Sequence, residues 1–344
     1  GAEGPLQDAL RISQSEFGAK SIESGRTLWA LGRLRLQQGR FGEAKDLFVQ
    51  SLTILESGNA PQTDISSLLD DSAKVYTRSQ QWALAKQTYE RALDIDRRVL
   101  GDDHPRVAQY LENLAIVAQN MGDLRRAETL YRDALNRMQS AYGERHPETA
   151  ITKGNYGLLL QREGRLTEAE PLLRDAVDIR LSLFGPDNYN VGYGRVSLAM
   201  LLHDKGDLAG SENEFRQALA IYDKSLPANH QNRASLLMHF ARLLVDRNKS
   251  AEALADSEES IKIWTATSPA TNPQTAQAHA IHAYALEHTG KMREAAEELD
   301  AAVPVLVKAR GTDDAVVRRA QAWQKIADPN AVQTASTSVT VHRP

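Results

Sequence analysis

Few side chains in this sequence are grouped as a reaction would need them. His279, His282 and His288 fall within one helical stretch and are the best candidates for holding a metal ion. At about 100° per residue, His279 and His282 share a face while His288 points nearly opposite His279. His282 also occupies a repeating position held elsewhere by Leu114, Tyr156, Leu198 and Phe240. It is therefore read as a packed histidine, and no metal is assigned. The carboxylate pairs Glu258-Glu259 and Glu297-Glu298 read as solvated helix faces. No glycine-rich phosphate loop, Gly-x-Ser-x-Gly elbow or His-Glu-x-x-His occurs. The chain has no cysteine, which removes disulfides, cysteine-ligated zinc and a thiol nucleophile together. No catalytic residue and no cofactor is expected, and the chain is read as a non-enzyme.

Composition narrows the partners. The 344 residues are 42% apolar and 25% charged, with 41 basic and 45 acidic side chains intermixed. That balance offers no clustered basic face for nucleic acid. No run of about 18 apolar residues exists, so no segment is expected to enter a membrane. A cysteine-free chain suits cytoplasm and periplasm alike, which leaves the compartment open. Gly1-Ala2 reads as a protease-cleavage scar, and no initiator methionine is present, so a longer parent polypeptide is expected.

The elements that would position any site come from a repeat. His104-Pro105, Gly122, Ala127 and Asp133-Ala134 recur 42 residues later as His146-Pro147, Gly164, Ala169 and Asp175-Ala176. The same period, one residue short at its first step, links a turn column of Gly39, Gln80, Gly122, Gly164, Gly206, Asn248 and Gly290. All but Gln80 are glycine or asparagine, which tolerate a left-handed backbone past a helix end. Seven residues before the turn stands a small column: Gly32, Ala73, Ala115, Gly157, Ala199, Ala241 and Ala283. Five residues after it stands another: Ala44, Ala85, Ala127, Ala169, Ser211, Ala253 and Ala295. Four residues further along the second helix is a mostly large column of Phe48, Tyr89, Tyr131, Leu173, Phe215, Ser257 and Leu299. Small columns let two helices cross closely, and the large one fills the space between neighbouring pairs.

Seven antiparallel helix pairs in register make an all-α solenoid. First helices are expected near 22–38, 63–79, 105–121, 147–163, 189–205, 231–247 and 273–289. Second helices are expected near 41–56, 82–99, 124–141, 166–183, 208–225, 250–265 and 292–309. Residues 1–20 read as a half-repeat capping helix, 21–310 as the seven-unit array, 311–327 as a C-terminal capping helix and 328–344 as a disordered tail. That makes about sixteen helices. Ser21, Gln62, His104, His146, Asn188, His230 and Asn272 precede the first helices and are read as N-caps. Pro105, Pro147 and Pro273 then fit the first turn, where a missing N–H costs little. Gly192-Tyr193-Gly194 falls inside a first helix by register and reads as a soft or bent segment.

The Ala-then-aromatic spacing of the second helices resembles the tetratricopeptide repeat. The 42-residue period, Gly-x-x-His-Pro (Gly101 to Pro105, Gly143 to Pro147) and Asn113-Leu114-Ala115 resemble its kinesin light chain variety, which also occurs in bacterial multidomain proteins. The resemblance implies a right-handed superhelix whose first helices line a concave groove that binds an extended peptide or partner segment. Its groove asparagine is matched by Asn113 and Asn155, in a column that includes Asp71 and Ser197. Three residues on are Arg33, Lys74, Ile116, Leu158 and Met200. Asn113 and Asn155 would clamp a peptide backbone; Arg33 and Lys74 suit an acidic segment, and Ile116, Leu158 and Met200 an apolar anchor. The competing reading of these residues is a plain solvated inner face. The implied function is a non-catalytic scaffold for a protein or peptide partner. Its alternative is the sensor or regulatory region of a larger bacterial signalling protein, such as a Ser/Thr kinase, possibly outside the cytoplasm. Capping helices at both ends oppose self-stacking, so a monomer is expected.

Overall fold

The structure, a computed structural model, describes residues 2–268 and 271–327. The expected tail at 328–344 lies outside the described residues. Sixteen α-helices and no strand occur among the described residues. In order they are α1 (Glu3–Glu16), α2 (Ile22–Gln37), α3 (Phe41–Ser57), α4 (Gln62–Arg78), α5 (Trp82–Leu100), α6 (Pro105–Asn120), α7 (Leu124–Tyr142) and α8 (Pro147–Arg162). They continue as α9 (Leu166–Phe184), α10 (Tyr189–Asp204), α11 (Leu208–Ser225), α12 (Gln231–Asp246), α13 (Ser250–Thr267), α14 (Pro273–Glu287), α15 (Met292–Arg310) and α16 (Ala315–Ala327). Every helix the period predicts is present, within two residues or so at each end.

Contacts divide the chain into one unit ending at Arg165 and another beginning at Leu166. In the first unit α2–α3, α4–α5 and α6–α7 are antiparallel hairpins; α1 packs on α2, and α8 on α7. In the second, α10–α11, α12–α13 and α14–α15 are hairpins; α9 packs on α10, and α16 on α15 and α14. Each unit is a solenoid of stacked helix pairs.

The caps explain where the first helices start. The side-chain oxygens of Ser21, Asn188 and Asn272 accept from backbone N–H groups of the first turn, as does Nδ1 of His104, His146 and His230. Gln62 departs from this reading. It is already helical, and Pro61 stands at the N-cap with no side-chain cap. The turn column is left-handed at every position, including Gln80 at φ 57° and Asn248 at φ 59°. Gln80 has neither the freedom of glycine nor the local hydrogen bonding of asparagine to ease that conformation.

Both small columns are buried throughout, and the alanines and Ser211 in them are 0% exposed. Ser211 Oγ donates to the Ala199 carbonyl at 2.7 Å, one small column touching the other across a hairpin. A second crossing lies two turns away. Its first-helix positions are Gly25, Ser66, Ala108, Ala150, Gly192, Ala234 and Ala276, and its second-helix positions are Ser51, Ala92, Ala134, Ala176, Ala218, Ser260 and Ala302. Ser51 Oγ donates to Gly25 O at 2.7 Å, and Ser260 Oγ to Ala234 O at 2.8 Å. The large column packs onto the next pair: Tyr89 against Tyr110, Tyr131 stacked on Tyr156, and Phe215 stacked on Phe240 at 5.4 Å.

The α10 helix runs through Gly192-Tyr193-Gly194 without a break. A Cβ at Gly192 would meet Tyr222 Cε1 at 2.6 Å, and one at Gly194 the Arg180 guanidinium at 2.9 Å. These glycines admit neighbouring side chains.

Two stability outcomes follow. Ala127→Leu should destabilise the first unit by about 1–3 kcal/mol, since an overpacked crossing can relax only by separating the helices. Gln80→Gly should stabilise it by about 1 kcal/mol by removing the left-handed penalty of a side-chain-bearing residue. Chemical denaturation reads both; equal melting of Ala127→Leu and the parent chain would show that the crossing has slack.

Candidate functional site

Within each unit the first helices approach one another: α2 contacts α4, α10 contacts α12, α12 contacts α14, and α14 contacts α16. Several of the candidate groove residues lie where these first helices meet. Many are already bonded to the neighbouring first helix. Asp71 accepts from Trp29 Nε1 at 2.8 Å and pairs with Arg33 at 3.5 Å, joining α4 to α2. Glu112, 6% exposed, accepts from Asn155 Nδ2 at 2.7 Å and from Thr152 Oγ1 at 2.8 Å, joining α6 to α8. In the second unit His203 bonds Asp246 at 2.6 Å, Arg242 donates to Asp204 at 2.8 Å, and Tyr284 OH donates to Asp246 at 2.7 Å.

These bonds revise what several candidates can do. Lys74 lies 2.6 Å from Asp70 and 3.5 Å from Asp71. Burial lowers the Lys74 pKa, yet Asp70 and then Asp71 outweigh it and leave the ammonium above its usual range. Burial likewise raises Asp70, against the pull of Lys74. Arg33 and Lys74 thus each pair with an acid of the protein itself, and both remain largely exposed. Asn155 holds a buried carboxylate instead of presenting a free amide. Ser197 is 6% exposed, and its hydroxyl donates back to Tyr193 O at 3.3 Å, so it leaves the surface altogether. Asn113, Ile116 and Leu158 remain half-buried on the inner side of the first unit, and Met200 on that of the second. Asn113 makes no side-chain hydrogen bond with a described residue.

Of the histidines first considered for metal, His279 and His282 are half-buried and His288 is exposed, and all three are bonded within the protein. His279 Nδ1 lies 3.4 Å and His282 Nδ1 2.9 Å from the Glu298 carboxylate, and His288 donates to Tyr284 O at 3.0 Å. Among the described residues no group of three His, Cys, Asp or Glu side chains could hold a metal ion.

The tetratricopeptide repeat pattern matches residues 2–57, 64–140 and 112–182, and two further forms of it match 195–232 and 238–315. The chain belongs to the tetratricopeptide repeat family. Its 42-residue units are the kinesin-light-chain-like form that the sequence resembles. Similar solved structures include the quorum sensor NprR from B. thuringiensis in its apo form, 14% identical over 88% of this chain and 81% of that one, TM-score 0.70. A Rap protein complexed with competence and sporulation factor is 14% identical over 89% and 86%, TM-score 0.60. BtubC (BKLC) from P. vanneervenii is 22% identical over 64% and 88%, TM-score 0.55. Among curated proteins, none matches the sequence. No helix among the described residues of this tetratricopeptide array is long and apolar enough to cross a membrane.

Inner-side residues beyond the initial candidates cluster in the second unit: His203, Asp204, Asp246, Arg319 and Trp323. A signal for Trp323 was present, since one 42-residue step from Ile281 in the asparagine column lands on it. Reading α16 only as a cap hid it.

Asn155→Ala should lower stability by about 1–3 kcal/mol, because a buried carboxylate loses a donor, while Asn113→Ala should change it by about 0.5 kcal/mol or less. A double-mutant cycle of Asn155→Ala with Glu112→Ala should show coupling; additive effects would mean that the 2.7 Å bond contributes nothing.

Proposed function

We propose that this array is a non-catalytic scaffold that binds an extended peptide or partner segment along the inner side of its first helices. The observation that carries the reading is selective. On a face where most polar groups bond the next repeat, Asn113 keeps an unengaged amide beside half-buried Ile116. Such an amide can both donate to and accept from a peptide backbone, and the leucine and isoleucine methyls supply an apolar contact. A strand-like segment rising about 3.3 Å per residue would offer a backbone group and a side chain to successive helices. The similar structures named as a quorum sensor and as a Rap protein complexed with competence and sporulation factor favour a second output for the same surface: a sensor region that responds to a peptide. The partner would be protein or peptide, not nucleic acid, and the working form a monomer.

Decapeptides selected from a random display library by the full chain provide the test. Asn113→Ala should weaken the selected peptides about tenfold or less, since one such bond contributes about 0.5–1.5 kcal/mol. Combination with Leu158→Ala should weaken them further at an unchanged fold by circular dichroism. Arg132→Ala and Arg174→Ala, on second helices, should leave affinity alone. Peptides lost through the second-helix changes and indifferent to the inner pair would place binding on another face.

A further inference from the structure

In two repeats the large column of the second helix stacks on an aromatic ring of the following first helix: Tyr131 on Tyr156 and Phe215 on Phe240. The equivalent pairs in the first repeats are Phe48 with Ser72 and Tyr89 with Leu114, where no second ring stands. Tyr89 packs against Tyr110 instead. A hollow opens at both places. One of about 180 Å³ is lined by Phe48 and Ser72, and one of about 430 Å³, between α5 and α7, by Leu93, Leu111, Leu114 and Leu130. The larger continues past Leu114 to Ala118 and to Met121, which is 49% exposed. Leu111, Leu114, Ala118 and Met121 are spaced three and four residues apart and floor a trough about 15 Å long, or three helical turns. Its walls carry two uncommitted charges. Arg126 lines the Met121 side and Asp94 the Leu111 side. Both are exposed, and neither side chain makes a hydrogen bond or ion pair with a described residue. The other wall charges are engaged: Arg97 with Asp102 at 2.8 Å, Asp133 with Arg137 at 2.7 Å, and Lys86 with Glu90 at 3.9 Å. Asp123 caps α7.

We propose that the trough between α5 and α7 is a second docking surface, which takes one amphipathic helix of a partner protein. It uses none of the groove candidates and does not rest on the peptide reading above. A helix laid over α6 would seat its own rows of side chains, three and four residues apart, between those of the floor. An extended segment points alternate side chains to opposite faces, so half of them would miss the trough. The two wall charges fix direction. Arg126 calls for an acid and Asp94 for a base, so the bound helix runs parallel to α5 and α7, with its acidic first turn over Arg126 and its basic last turn over Asp94. That charge order is also the one its own macrodipole favours. Leu114 is the residue that keeps the trough open.

Two lactam-stapled, fluorescein-labelled alanine–leucine helices of about four turns are the probes, each with leucines three and four apart on one face. One carries glutamates in its first turn and lysines in its last; its twin carries them reversed. Fluorescence anisotropy with the full chain should show the first bound about tenfold more tightly than the twin. Arg126→Glu combined with Asp94→Lys should invert that preference. Leu114→Tyr, which sets a ring beside Tyr89 as Tyr156 stands beside Tyr131, should weaken the preferred helix about tenfold or more at an unchanged melting temperature. Should Leu114→Tyr not fold, the charge-inverted chain carries the test by itself. Asn113→Ala and Leu158→Ala should leave the helix bound as before, and Leu114→Tyr should leave library-selected peptides bound as before. Binding of neither helix at millimolar concentration overturns the assignment. So does equal binding of the twins, or a folded Leu114→Tyr chain that binds unchanged. Loss of the helix through Asn113→Ala and not through Leu114→Tyr would place it with the peptides and refute the second surface. Helix binding of the expected charge order by a chain that selects no library peptide would uphold the trough and remove the peptide reading.

Discussion

The structure depends on how closely two helix backbones can approach within each repeat. Two crossings per hairpin, each lined by alanine, glycine or serine on both helices, hold the pair together. Where serine replaces alanine on the second helices, its hydroxyl reaches a main-chain carbonyl of the other helix, as Ser51, Ser211 and Ser260 do. Only a very short side chain can make that bond, so these contacts measure the approach directly. The buried hydroxyls are satisfied by the same geometry, and the columns tolerate serine at little cost. A Cβ at Gly32 would meet Phe48 Cε1 at 2.4 Å, which shows how tightly the aromatic column is fitted against the small one.

Close crossings within a pair leave the space between pairs to be filled by long side chains. Tyr89, Tyr131 and Phe215 do so by meeting an aromatic residue of the following first helix. Two buried charges interrupt the corresponding position further along the second helices. Asp96, 0% exposed, lies 2.9 Å from Arg106 of the next repeat, and Arg180 lies over the Tyr193 ring. Ion pairs at a stacking interface add little net stability beside an apolar residue of equal size, but removing one partner leaves a buried charge.

Almost all of the fold was legible in the sequence because repetition averages out local ambiguity. One glycine suggests little, whereas seven left-handed positions at a 42-residue step specify a turn. The second pair of small columns recurs at the same step, seven residues from the first on each helix. The candidate site was legible only as positions. Columns say which residues face inward, but not whether a side chain is engaged there. Asn113 and Asn155 share a column, but Asn155 bonds Glu112 of the preceding first helix, whereas Asp70, at the equivalent place before Asn113, pairs with Lys74 instead. Gln62 shows the same limit at a helix start, where Pro61 moves the boundary by one residue.

The recognition capacity of such a surface is therefore what remains after neighbouring repeats have bonded. A bond between first helices of adjacent repeats uses residues about one period apart, as in Trp29–Asp71, Thr152–Glu112 and His203–Asp246. The same inward position can thus serve the stack in one repeat and remain open in the next, without any change in fold. In the first unit the open residues are an amide and two aliphatic side chains, which suit a backbone and an apolar contact. In the second they include the Met200 thioether and, on the last described helix, Arg319, which bonds no described residue.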